Sequence, residues 1–156
     1  MQFPEEIISG GQTGVDRAAM DAAMECGIRV RGWCPAGRRA EDGRIAKKYP
    51  LTETASADYT VRTRKNTEDA DALLLLYQHD WDTGTNLAVK TANRTNKEVI
   101  AVDLASRQID TCHIAELLKK KEIRTLNIAG PRESNSPGIY NKVLPFLLEL
   151  FRLTRS

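Results

Sequence analysis

Apolar positions along this chain fall into two alternating rhythms. EEIIS, about Glu5 to Ser9, is a short apolar run of strand type. From Val15 to Cys26 the period changes to that of a helix, with Val15, Ala18, Ala19, Ala22 and Cys26 on one stripe, closed by Gly27. IRVRGW, Ile28 to Trp33, predicts a second strand. After a polar stretch, ALLLLY (Ala72 to Tyr77) is continuously apolar, as in a strand covered on both faces, and Gly84 to Asn96 reads as a helix. A fourth strand is predicted at Glu98 to Val102, a helix at Ile109 to Lys121 and a fifth strand at Thr125 to Ala129. Ser136 and Pro137 suit an N-cap and first helical position. Ile139, Tyr140, Val143, Leu144, Leu147 and Phe151 then mark a strongly apolar helix, with a kink expected at Pro145.

Strand and helix in alternation predict a three-layer α/β/α fold around a five-stranded, mainly parallel sheet, with strand order 2-1-3-4-5. The first helix is apolar on more than its main stripe, at Met20, Ala23 and Met24, which suggests contact with a second subunit in a homo-oligomer. The exception to the alternation is the segment from Cys34 to about Tyr59. It is polar, basic, weakly periodic and long for a plain loop, with a short helix expected at about Glu41 to Lys48.

The length of 156 residues fits one domain over residues 1–156. A formal charge of +2, from 23 basic and 21 acidic residues, gives no general attraction to nucleic acid or membrane, so any electrostatic function is local. Three cysteines, Cys26, Cys34 and Cys112, form no CxxC pair, which argues against a disulfide framework or a zinc knuckle. With no signal-like N-terminus and no aliphatic run longer than Leu73 to Leu76, a cytoplasmic protein is expected.

Three glycines crowd the end of the first strand in ISGGQTGVD. The amides of Gly10, Gly11, Gln12, Thr13 and Gly14 at a helix start, with the Thr13 hydroxyl, form a candidate phosphate cradle; the alternative is a tight turn in which glycine relieves sterics. It is no Walker loop, because Val15 and Asp16 follow Gly14, and no dinucleotide fingerprint, because the second strand ends in Gly32, Trp33 and Cys34 rather than an acid. Arg29 to Lys48 holds seven basic residues against Glu41 and Asp42, an excess of five. Within it Arg38 and Arg39 are candidates to grip an anion, and Arg17 stands near the first loop. Thr83, Gly84 and Thr85 at the next helix start, and Arg132 and Ser134 after the fifth strand, bring further donors to the same rim. Arg62, Thr63 and Arg64 are placed to join them. No cluster supports a metal site, and few aromatics interleave the basic segment, against nucleic-acid binding.

With ISGGQTGVDRAAMDAA, GWCPAGRRAEDGRI, YPLTE, the TGT turn and NIAGPRESNSPGIY assembled, the chain resembles the putative molybdenum carrier family over nearly its whole length. This is a branch of the superfamily that includes the bacterial DNA-processing protein and the LOG-type phosphoribohydrolases. The resemblance implies a Rossmann-like fold, frequent oligomers, and a pocket for a nucleotide-like or molybdopterin-type phosphate ligand, the molybdenum cofactor among them. It also implies two phosphate loops, at Gly10 to Thr13 and at Gly84 and Thr85. LOG-type enzymes carry a GGxGTxxE motif whose glutamate assists glycosidic cleavage; here that position is Ala88. A binding protein is therefore the leading expectation, and a nucleotide or nucleotide-sugar hydrolase using another carboxylate (Asp82, Glu41 or Asp16) is the rival.

Overall fold

The computed structural model describes residues 2–155. Its central sheet has five parallel strands: β1 (Glu6–Ile8), β2 (Arg29–Arg31), β7 (Ala72–Tyr77), β8 (Glu98–Asp103) and β9 (Thr125–Ala129). Between β2 and β7 the chain adds four two-residue strands, β3 (Trp33–Cys34), β4 (Arg39–Ala40), β5 (Gly43–Arg44) and β6 (Thr52–Glu53). Five helices cover the sheet: α1 (Val15–Glu25), α2 (Tyr59–Asp69), α3 (Thr83–Arg94), α4 (Thr111–Lys120) and α5 (Ile139–Thr154). This is the three-layer α/β/α, Rossmann-like arrangement expected.

The strand order is β2-β1-β9-β7-β8, which in the five-strand count is 2-1-5-3-4 and not 2-1-3-4-5. The last strand inserts between β1 and β7 and pairs with both. Leu126, Asn127 and Ile128 are buried as befits a central strand, whereas β8 has Ala101 exposed and lies at the edge. The expected order follows the tendency of consecutive strands to neighbour one another. Here the long connection after β2 carries the chain past the position that β9 later fills.

The core is built on β7, whose four leucines are fully buried. At about 2 kcal/mol for each buried leucine, this strand alone is a major share of the hydrophobic stabilisation. The second apolar face of α1 is covered by α5 of the same chain: Met20 and Ala23 are fully buried, and only Met24 stays outside. The feature that suggested a partner subunit is thus largely used within the protomer. α5 runs through Pro145, and its start differs from the expected Ser136 cap. The Glu133 carboxylate instead accepts from the amides of Gly138 (2.6 Å) and Tyr140 (3.1 Å), while the Ser136 hydroxyl accepts from Gln78.

Two elements differ from the sequence reading between residues 34 and 69. The short helix expected at Glu41 to Lys48 is a hairpin, β4 against β5, because Gly43 supplies the left-handed backbone (φ 113) that its turn requires. α2 had no apolar signature, since its buried positions are Arg62, Asn66 and Thr67. It is held by polar contacts: Asp58 caps it at Thr60, and Asn66 clamps the backbone of Trp33 through both N–H (2.7 Å) and C=O (3.0 Å). No helix is long and apolar enough to cross a membrane among the described residues.

Candidate functional site

A cleft of about 780 Å³ opens at the carboxyl edge of the sheet, between α2 and the start of α3. Its floor is Asn127, Ala129 and Gly130 at the end of β9, with Gly10 and Asp16 beside them. This is where ligands bind in open α/β sheets. Of the residues singled out in the sequence, Gly10, Gln12, Arg39, Arg62, Thr63, Arg64, Thr83, Gly84, Thr85 and Arg132 line it; Gly11, Thr13, Gly14, Arg17, Arg38 and Ser134 do not.

The first glycine loop turns three of its amides, those of Gly11, Gln12 and Thr13, onto the protein itself. Gly11 N–H donates to Ser9 Oγ (3.2 Å), Gln12 N–H to Asp16 Oδ2 (3.3 Å) and Thr13 N–H to Gln12 Oε1 (3.0 Å). The glycines admit close neighbours: a Cβ on Gly10 would lie 2.7 Å from Arg62 Nη1, and one on Gly14 would lie 2.5 Å from the Pro131 carbonyl oxygen. Ser9, Gln12 and Asp16 each stand within reach of an amide they satisfy, a local capping pattern that was present in the sequence.

The start of α3 is arranged differently. Asp82 caps Thr85 at both its amide (3.0 Å) and its hydroxyl (2.6 Å). The two amides before it, those of Thr83 and Gly84, find no acceptor among the described residues; both residues are exposed and face the cleft. Open amides at a helix N-terminus, with its partial positive charge, favour an anion.

Cations complete the lining. Arg39, Arg64, Lys90 and Arg132 reach the cleft without forming an ion pair among the described residues, although Arg39 lies over the Tyr59 ring at 5.0 Å. Arg62 stacks on the same tyrosine at 5.2 Å and is fixed by a bond to the Gly10 carbonyl (2.7 Å). Arg38, by contrast, is buried with a left-handed backbone (φ 54) and donates to the carbonyls of Ile45, Leu51, Ala46 and Tyr49. It organises the 34–58 segment and leaves the cleft to Arg39. The basic run from Arg29 to Lys48 does not converge on the cleft: Arg29 and Arg31, in the edge strand β2, pair with Glu6.

Of the three carboxylates that line the cleft, Asp58 is engaged in capping α2, and the other two have opposite tendencies. Burial pushes Asp16 up to about 6, against the attraction of Arg62 at 4.0 Å and the Gln12 amide bond. At Asp82 burial also acts upward, but bonds from Thr85 and Asn135 outweigh it and hold the group below its ordinary value. Ala88, where LOG-type enzymes have their glutamate, is a buried part of the cleft wall. Cys34 is buried, and desolvation raises its thiol despite Arg38 nearby, which makes it a poor nucleophile. Among the described residues no three His, Cys, Asp or Glu side chains gather as metal ligands.

A family model for the circularly permutated YpsA SLOG family matches residues 7–151. The chain belongs to that family. Circular permutation accords with the insertion of the final strand into the middle of the sheet. The chain is also similar to the crystal structure of a protein described as "Putative molybdenum carrier protein" from Syntrophus aciditrophicus, at 39% identity, 96% coverage of each chain and a TM-score of 0.87. No curated protein matches it.

Proposed function

We propose that this chain binds a small phosphorylated ligand, nucleotide-like or of molybdopterin type, in the cleft between α2 and α3, and acts as its carrier. The observation that carries the proposal is the pair of open amides at Thr83 and Gly84, in a cleft that Arg39, Arg64, Lys90 and Arg132 also line. These donors converge on a space large enough for a fused ring joined to a phosphate. The phosphate group belongs at the α3 amides, with the ring directed toward Tyr59 and the floor of the cleft. A molybdopterin keeps its metal on its own sulfur atoms, so phosphate and ring are what the protein grips. The name of the Syntrophus relative supports the molybdopterin variant of the proposal.

Titration calorimetry with adenosine monophosphate and guanosine monophosphate tests the proposal. Binding that falls about tenfold on Lys90→Ala or Arg132→Ala supports it, in line with the loss of one charge-assisted contact. Absence of binding by both nucleotides and by a phosphorylated pterin refutes it.

One observation favours the hydrolytic rival. Asp16 is a buried carboxyl on the cleft floor whose pKa of about 6 suits a proton donor near neutral pH, with the ionised Asp82 in the same cleft. Release of free base from either nucleotide by pure protein, abolished in Asp16→Asn, would move the assignment from carrier to enzyme.

A further inference from the structure

The tip of the β4–β5 hairpin carries two adjacent acids, and both sit on groups of the kind that hold an oxyanion. The Glu41 carboxylate accepts from the Thr13 hydroxyl, from the Ser134 hydroxyl and from the Ser134 amide (3.2 Å). Asp42 takes both terminal nitrogens of Arg17, at 2.9 and 3.1 Å. Arg132 acts electrostatically on Glu41 from the cleft side. One backbone bond steadies the tip, from Glu41 N–H to Gln12 Oε1 (2.8 Å). Residues 41–44 are all exposed, while Ala40 and Ile45 on either side are buried in the core, so the tip itself is held by these polar contacts and any displacement is confined to it.

We propose that Thr13, Arg17, Arg132 and Ser134 form a second oxyanion site, separate from the α3 amides, and that Glu41 and Asp42 are its resident occupants, displaced when a phosphoryl-type oxyanion arrives. That these donors hold an oxyanion is visible directly, because the protein supplies one. A phosphoryl group brings more charge and more acceptor oxygens than a carboxylate, so the same donors hold it more strongly. The tethered carboxylate competes at a high effective concentration, which lowers the apparent affinity for a free anion by the fraction of time the tip is closed. Because Gln12, Arg39 and Arg132 also line the cleft, the displaced tip opens the second site at the cleft's rim. The inference rests on the cleft reading only for the side from which a ligand approaches.

The probe is inorganic pyrophosphate, titrated calorimetrically into wild type, Glu41→Gln and Glu41→Gln/Thr13→Val, with hydrogen exchange followed over residues 39–44. Glu41→Gln keeps the shape of the tip and removes its charge. The expected result is binding about tenfold tighter or more in Glu41→Gln, cancelled by Thr13→Val, together with faster exchange of the hairpin amides in wild type on adding pyrophosphate. Should Glu41→Gln fold poorly, Asp42→Asn is expected to give a gain in the same direction. If neither variant gains affinity, whether pyrophosphate binds all proteins alike or none, the tip is a structural staple and the proposal fails. Loss of nucleotide binding in wild type would instead refute the cleft reading while leaving the pyrophosphate gain intact.

Discussion

Glu41 and Ser134 stand 93 positions apart in the chain, yet the carboxylate of one accepts both the amide and the hydroxyl of the other. This contact closes the loop after β9 onto the β4–β5 hairpin and engages donors that the sequence marks for a ligand. The open donors lie instead at the start of α3, where Thr83 and Gly84 face the cleft.

Adjacent arginines are expected to behave as opposites. Arg38→Ala removes four bonds from a buried guanidinium and leaves the Ile45 and Leu51 carbonyls without this donor, those of Ala46 and Tyr49 keeping backbone donors, and should destabilise the fold by about 2 kcal/mol or more. Arg39→Ala removes an exposed side chain whose only ring contact is Tyr59, and should change stability by no more than about 0.5 kcal/mol while weakening nucleotide binding. Urea unfolding and calorimetry on both variants separate the two roles.

The cap of α5 gives a second contrast. Glu133→Ala removes the acceptor of two first-turn amides and should reduce stability by about 1–2 kcal/mol. Ser136→Ala loses only a partly buried side-chain bond to Gln78 and should have a smaller effect. Equal thermal shifts in the two variants would contradict this assignment of the cap.

What the sequence makes legible follows from what holds each element. α1, β7 and α5 are built on apolar periodicity, and all three lie close to where that periodicity places them. α2 is not legible in this way, because Arg62, Asn66 and Thr67 form its buried side; Arg62 and Asn66 bond to distant backbone and Thr67 to Thr63 and the Asn127 side chain. The place of β9 is decided by pairing with β1 across more than a hundred residues, which no local window records. Donor-rich loops were legible as a group; which of them remain open was not, since Ser9, Gln12, Asp16 and Glu41 quench some and leave others free.

Stability should carry the signature of Asp16. Its folded value of about 6 lies above the ordinary 3.8, so between these values the folded state holds more protons than the unfolded one. The contribution of Asp16 is therefore most favourable at low pH, falls as pH rises through this window, and levels off above it, for a loss of roughly 3 kcal/mol. Burial sets this value; among the charged neighbours Arg62 and Arg17 act against it and Asp82 adds to it. Asp16→Asn should gain on wild type progressively from about pH 4 to pH 7, as followed by urea unfolding across that range; a constant difference would contradict the burial of the ionised group.

Nitrogen–proton correlation spectra of the labelled protein, titrated with guanosine monophosphate, adenosine monophosphate and a phosphorylated pterin, probe the proposed phosphate position atom by atom. The expected result is a saturable shift of the Thr83 and Gly84 amides by at least one of these compounds, larger than any shift at Gly11 or Gln12, whose hydrogens already have acceptors. Amides of Thr83 and Gly84 that stay unmoved at saturating concentrations of all three compounds would contradict a phosphate site at the start of α3.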